Sequence, residues 1–441
     1  MSAAGTTLRQ TPPAAEPGLR KSSPWWLADR LALWTCALLL PVLLGLASYG
    51  LVSEFDLWRF EYPRAADRPG VYLFFAGPVL AGVCAWNAYR WRLSLKGLQE
   101  GLPVPGLIWR ASWLPVGIVA VLVHCIVVTT HLVIARVSGA IGEIDPRALL
   151  VQFIAVLACC AFGALIGGVS NGPLAAPALL LGMLAANTLL AQWGFRRFTQ
   201  VGTGAADFVD LRYAGGYLWP KAALYVAVVL LALPLRWSSW GRLADLLRTT
   251  ALTVAAVVSV ILVWVYSGPM LELHPEPRQC AGSSPEVCVP MSMVSKRAEI
   301  DAAVGRAVTA LRAGGVTSGP ARVDVISRGA TSVPKGQAGL LVSGATLHDE
   351  RALRREVARA FSGAQMCDDL TATAGPPDNV IMSRAALDGW LQTRTDSVED
   401  GSFPPEAVQA LDRGTKEEQH RALATLFTGV WNCSASVALP R

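Results

Sequence analysis

The chain has 441 residues, 53% of them hydrophobic and 16% charged, with a formal net charge of +6. A charged share so far below the roughly 25% of ordinary soluble domains excludes a simple soluble protein and points to the bilayer. The positive excess does not mark a nucleic-acid binder: after residue 274 there are 18 basic and 19 acidic residues, so the excess lies beside the apolar runs, where positive-inside topology puts it.

Residues 1–24 are rich in Pro, Ala, Ser and Thr and read as a disordered cytoplasmic tail. The first apolar run, Leu31–Val52, is long enough to span a bilayer and exceeds a signal-peptide core. Six further spans are predicted at Val71–Ala88, Ser112–Ile134, Ala148–Val169, Leu174–Trp193, Ala222–Leu235 and Thr250–Ser267. The sixth is short for about 30 Å of hydrocarbon, and reaches adequate length if Tyr217, Leu218 and Trp219 belong to it despite Pro220. Tryptophans at the span ends, among them Trp25, Trp86, Trp113, Trp193 and Trp219, read as interfacial anchors.

Basic residues set the expected orientation. Arg20, Lys21 and Arg30 precede the first span; Arg90, Arg92, Lys96 and Arg110 follow the second; Arg236, Arg242 and Arg248 follow the sixth. With these segments in the cytoplasm, seven spans place the loop bearing Glu54, Asp56, Glu61 and Asp67 outside, together with the whole C-terminal region. Arg196 and Arg197 also land outside, against the trend.

Within the third span, His124 and His131 are seven residues apart and share a helix face, about 10.5 Å apart along the axis. Intramembrane ionisable groups raise a proton relay or metal transfer; the alternative is neutral histidine bonding a neighbouring helix. The fourth and fifth spans meet in a segment with Gly163, Gly167, Gly168, Gly172, Pro173 and Pro177. Its GxxxG spacings allow close helix packing, and its Gly-Pro break resembles the discontinuous helices of transporters.

Cys36, Cys84, Cys125, Cys159 and Cys160 lie in the spans and read as small hydrophobes. Cys280, Cys288, Cys367 and Cys433 lie in the tail, an even number in a region expected outside the cell, which suggests two disulfides, the alternative being four unpaired thiols. The preferred pairing is Cys280–Cys288 and Cys367–Cys433; the two other pairings stay open. The spacing is not that of a zinc site.

The tail, 271–441, reads as a small α/β (α+β) domain. Helices are predicted at 296–313, stopped by Gly314-Gly315, at Asp349–Phe361, and from Thr415, where Thr415 and Glu418 form a capping box. Strands are predicted at Arg322–Ile326 and Gly339–Ser343, and loops at Thr371–Asn379 and Asp396–Pro405. Arg355-Glu356-Val357-Ala358-Arg359 has the register of the zinc-peptidase HExxH motif with arginine at both histidine positions. Arginine cannot ligate zinc, so the match is either chance or the trace of a metal site lost; neither predicts hydrolysis. No nucleotide-binding or GxSxG motif occurs, and no cofactor is expected.

Over residues 30–270 the chain resembles ABC-2-type permease subunits: a long first span, a basic loop after the second, and a Gly-rich fourth span running into a Pro-marked fifth. It is also similar to actinobacterial multi-pass proteins with a C-terminal extracytoplasmic domain, through Cys280…Cys288-Val-Pro290, Cys367 and Cys433. The resemblance implies a transmembrane domain at 25–270 in a bacterial plasma membrane, and a separate ABC ATPase. That partner would dock on the loop carrying Arg90, Arg92, Lys96 and Arg110. It also implies a homo- or heterodimer. No enzymatic activity of the chain's own is expected, because no catalytic or nucleotide-binding motif occurs. The alternative expectation is a membrane-tethered binding or sensing protein.

Overall fold

The computed structural model describes residues 30–95, 105–170, 172–193, 211–233, 241–266, 268–326, 333–334, 336–363, 378–398 and 405–432. The N-terminal half is helical: α1 (Arg30–Val52), the short α2 (Phe55–Trp58), α3 (Tyr62–Leu95), α4 (Pro105–Val137), α5 (Pro146–Val169), α6 (Ala175–Gln192), α7 (Gly215–Ala232) and α8 (Gly241–Val265). Six of these, α1 and α3–α7, are long and apolar enough to cross a membrane, and α8 adds a shorter apolar stretch, Thr249–Val265. The chain is thus a membrane protein with a mostly helical architecture.

Two helix boundaries correct the sequence reading. The segment Tyr89–Arg110 is not one loop. α3 continues to Leu95 and α4 starts at Pro105, so Arg90 and Arg92 are helical on α3 and Arg110 is helical on α4, while Lys96 lies outside the described residues. Lys, Arg and Leu sustain a helix well past the edge of its hydropathy window. Likewise Asp67 is not in a loop, because α3 begins at Tyr62 with Pro63 in its first turn, where a missing N–H is harmless. α7 does include Tyr217, Leu218 and Trp219 and accommodates Pro220.

α3 is the central helix of the bundle and packs against α1, α4, α5 and α6; α5 packs in turn on α7, and α7 on α8. Glycine makes the α3–α5 contact close. A Cβ at Gly163 would run into the Ala81 carbonyl, and one at Gly167 into that of Ala85. Small residues let two backbones approach in this way. α5 opens on Asp145, whose carboxylate accepts from the Arg147 N–H at 3.0 Å, with Pro146 at the first helical position. A short turn through Gly172 and Pro173 leads into α6, with Pro177 in its first turn. Arg92 caps this junction, donating to the carbonyls of Gly168 (3.0 Å) and Ser170 (3.1 Å).

β1 (Leu211–Tyr213) precedes α7, β2 (Leu271–Leu273) follows α8, and the two pair antiparallel. The α7–α8 hairpin therefore leaves and returns at one end of the bundle. That end also carries residues 53–61 and 138–145 and the C-terminal domain.

The domain contains a four-stranded sheet in the order β3 (Arg278–Ala281), β4 (Glu286–Pro290), β5 (Arg322–Ile326), β6 (Gln337–Leu341). β3–β4 is an antiparallel hairpin that sets Cys280 opposite Cys288, and these two form a disulfide. β4, β5 and β6 are parallel. Helices α9 (Arg297–Ala313), α10 (Gly344–His348), α11 (Glu350–Phe361), α12 (Asp378–Arg394), α13 (Pro405–Leu411) and α14 (Lys416–Trp431) complete it. Local chemistry fixes several ends. Gly315 takes φ 84° after α9. Asp349 accepts from the N–H groups of Arg351 and Ala352 at the start of α11. Thr415 and Glu418 form the capping box of α14. α12 corrects the loop expected through Asn379, since helix begins at Asp378. Cys367 and Cys433, and with them the second expected disulfide, lie outside the described residues.

Candidate functional site

A set of buried polar groups lies at the end of the bundle that carries the C-terminal domain. α3 supplies Asp67, β1 Tyr213, and α7 Tyr217 and Lys221. Asp67, Tyr213, Tyr217 and Lys221 are all at most 4% exposed. The Tyr213 hydroxyl donates to the Asp67 carboxylate. The Lys221 ammonium donates to the Tyr217 hydroxyl at 2.8 Å, lies 4.3 Å from its ring centroid, and is within electrostatic reach of Asp67. The two tyrosine rings stack at 6.0 Å. Lys221 is six residues into α7, about 9 Å along its axis, and is buried rather than snorkelling.

A cavity of about 300 Å³ adjoins the Asp67–Tyr213 half of this centre, lined by Asp67, Asp145, Arg147, Tyr213, His274 and Glu276 among others. Arg147 holds its rim, pairing with Asp145 at 2.8 Å and donating to the Tyr213 carbonyl at 3.1 Å. On α5, Gln152 donates to the Ala66 carbonyl at 2.9 Å and ties that helix to α3 one residue before Asp67.

The two span histidines sit elsewhere in the same bundle. His124 is fully buried between Tyr72 and the edge of Phe153 (4.9 Å). His131 packs on Trp58 at 4.6 Å, with Nδ1 2.8 Å from the Val127 carbonyl. Their rings contact different aromatic partners, and neither is bonded to Asp67 or Lys221 among the described residues. Gly163 and Gly167 line the α3–α5 contact, whereas Gly172 has open space around it.

A clamp joins the bundle to the domain. Glu61 is 3% exposed; it accepts from the Gly344 N–H at 2.7 Å and pairs with Arg64 Nε at 3.0 Å. Phe60 stacks on His348 at 4.1 Å, with the Arg59 guanidinium 4.5 Å from the Phe60 ring centroid. Gly344 must be glycine here, because a Cβ would run into the Phe60 carbonyl. Ile141 exchanges backbone hydrogen bonds with Phe60 and Tyr62 and joins the apolar core of the C-terminal domain.

The domain has its own groove of about 1010 Å³, with Arg306, Trp390, Arg394, Lys416, His420 and Leu423 in its walls. Asp412 on its rim accepts from Trp390 (3.3 Å) and Arg394 (2.8 Å). Cys280, Glu286 and Cys288 bring donor atoms within 4.8 Å of one another, but both sulfurs belong to the disulfide, which leaves no thiolate for a metal.

Asp67 and Lys221 escaped the sequence reading. Asp67 stands among Pro63, Arg64, Arg68 and Pro69, a composition that reads as loop. Lys221 directly precedes an apolar run, where a lysine reads as an interfacial residue. The available signal was Asp67 and Lys221 as opposite charges at the same expected end of two spans. Compared with known proteins, the chain matches no family model, no curated protein and no solved structure.

Proposed function

We propose that the chain is the permease-like membrane subunit of an ABC-type export system, working with a separate ATPase in a bacterial plasma membrane. In this reading α8 is a seventh crossing, the N-terminus is cytoplasmic and the C-terminal domain is extracytoplasmic. One observation carries it: the Asp67–Tyr213 and Lys221–Tyr217 centre, buried at the end of a helical bundle, with Asp67 and Tyr213 opening on a cavity. Ionisable groups inside a membrane domain are expensive, at least about 2.5–3.5 kcal/mol each on insertion scales, and mark substrate or ion paths. A bundle that only anchors a domain has no use for them.

The test is purification of the full chain in mild detergent. A stoichiometric ATPase should co-purify, and Lys221→Met should lower substrate-coupled ATP hydrolysis severalfold while the complex still assembles. Folded protein recovered without an ATPase overturns the export reading. Unchanged hydrolysis in the Lys221→Met complex removes the buried centre from the mechanism.

The second reading is a membrane-tethered ligand-binding or sensing protein. The groove in the C-terminal domain and the clamp at Glu61 support it, since a ligand in the groove would bear on a domain firmly seated on the bundle. A kinase or an envelope protein as the co-purifying partner would favour this reading over the first.

A further inference from the structure

We propose that the β3–β4 hairpin is a redox-gated metal clip: once the Cys280–Cys288 disulfide is reduced, the two thiolates and the Glu286 carboxylate bind one zinc ion. The inference concerns the C-terminal domain alone and stands apart from the transport reading.

Strand register, rather than sequence spacing, assembles the three donors. Cys280 on β3 stands directly opposite Cys288 on β4, so their side chains leave the same face of the sheet. Glu286 is two residues before Cys288, and alternate residues of a strand share a face. The two Sγ atoms and a Glu286 carboxylate oxygen all lie within 4.8 Å of one another. Ligands of a tetrahedral zinc, with bonds of about 2.1–2.3 Å, are about 3.4–3.8 Å apart. Reduction frees the sulfurs to move to that separation.

The surroundings suit an open zinc site. Val287 and Val289 flank Cys288 and belong to the apolar core, so Glu286, Cys288 and Cys280 lie on the opposite, polar face. Cys280 is exposed, Glu286 half-buried and Cys288 buried, which gives an ion a way in past Cys280. Asp324 pairs with Cys288 across β4–β5, but it is already engaged by Arg322 at 2.8 Å and lies 3.7 Å from Arg278. Three protein ligands and one water is a familiar zinc arrangement, and two sulfurs select zinc over magnesium or calcium.

The hairpin has other ties besides the disulfide. Its ladder pairs four residues on each strand, from Arg278–Pro290 to Ala281–Val287. Arg297 spans it, donating to the carbonyls of Gln279 (3.2 Å) and Val287 (3.0 Å). The Met291 N–H donates to the Pro277 carbonyl at 3.0 Å. These bonds hold Cys280 opposite Cys288 in the reduced state as well.

Reduction takes two electrons from an external dithiol. Its thiolate attacks the exposed Cys280 sulfur, the S–S bond breaks, and Cys288 leaves as a thiolate. The second thiol of the reductant then displaces Cys280, and the reductant departs as its own disulfide. Zinc replaces the two thiol protons, which pass to solvent.

Equilibrium dialysis of the full chain in detergent against zinc, with and without a phosphine reductant, tests this. Cys280→Ser/Cys288→Ser, treated in the same way, accounts for the remaining cysteines. Reduced wild type should bind one equivalent more than this reference, and oxidised wild type no more than it. Glu286→Gln should weaken the extra binding at least about tenfold, the least that loss of a supporting partner costs a metal site. Equal uptake by reduced wild type and the reference overturns the proposal, as does a disulfide that the reductant leaves intact in the folded chain. Extra binding indifferent to Glu286→Gln overturns the three-donor site. Cys280→Ser, which changes only the exposed partner, is the reference if the double variant does not fold.

Discussion

Asp388 makes the stability of the C-terminal domain depend on pH in a definite direction. Burial is the main cause that raises its pKa from 3.8 to about 6, opposed by the Gln392 hydrogen bond and the charges of Arg359 and Arg355. The folded state therefore holds the proton more tightly than the unfolded chain. Below about pH 4 both states are protonated and the group has no effect. As pH rises from about 4 to about 6 the unfolded state ionises first, and stability falls; above about 6 the loss is constant. At about 1.4 kcal/mol per pK unit the loss at neutral pH approaches 3 kcal/mol, an upper bound. Asp388→Asn keeps an oxygen for Gln392 and removes the titration. Calorimetry of the full chain in detergent should show the domain's transition several degrees higher in the variant at pH 7, with the two curves converging toward pH 4.5. Parallel pH profiles for wild type and variant would refute the reasoning, because they would mean that Asp388 ionises freely in the fold.

Three further outcomes are expected. Gly163→Val forces a side chain into the Ala81 backbone and should cost about 3 kcal/mol or more, read as loss of monodisperse protein in detergent, while Gly172→Ala, with open space around it, should be silent. Cys280→Ser/Cys288→Ser opens a loop of eight-residue separation and should lower domain stability by about 2.5 kcal/mol on the chain-entropy estimate, measured as the calorimetric transition with and without reductant. Glu61→Ala leaves Arg64 and the Gly344 N–H buried without their partner and should cost about 3–5 kcal/mol at the clamp, seen as faster proteolysis around His348; Glu61→Gln, which keeps the Gly344 hydrogen bond, should lose less.

What the sequence revealed follows from how local the responsible physics is. The capping box at Thr415 and Glu418 involves two side chains within one turn and was readable directly. So was the Cys280–Cys288 pair, eight residues apart across one hairpin. The apolar stretches of the membrane helices announced themselves by length, but their ends did not, because α3 runs on through Arg90 and Arg92 after the apolar run stops. Asp67 was misplaced for a tertiary reason. Ala65 and Ala66 are buried among neighbouring elements, and that packing keeps a polar, proline-marked segment helical. The clamp was beyond any local reading, since Glu61 and Gly344 are 283 residues apart. Extending the sixth span back through Tyr217 already placed Lys221 inside a helix; what the sequence could not show is that Asp67, 154 residues away, acts on it.

Two polar features, the Glu61–Gly344 clamp and the Asp67–Lys221 centre, are joined through α3. Asp349 both ends α10 and caps α11, so the helix bearing Arg355 and Arg359 follows directly from the one whose first N–H group is held by Glu61. Glu61 immediately precedes α3, and Asp67 lies six residues further on, about 9 Å along that helix. α11, α10, Glu61 and the start of the helix that carries Asp67 are thus joined through one run of backbone and one buried hydrogen bond. A flexible linker would absorb a displacement between them, but here Ile141 is buried in the domain core and the Gly344 backbone lies directly on Phe60. Rigid contact of this kind is what coupling between the C-terminal domain and a site in the helical bundle requires, and energetic coupling then depends on the junction having two arrangements that both sites bias. A double-mutant cycle between Glu61→Gln and Lys221→Met, read in ATP hydrolysis of the assembled complex, measures it. Non-additive effects indicate that the clamp and the buried lysine act together, and strictly additive effects indicate a clamp that only holds the domain in place.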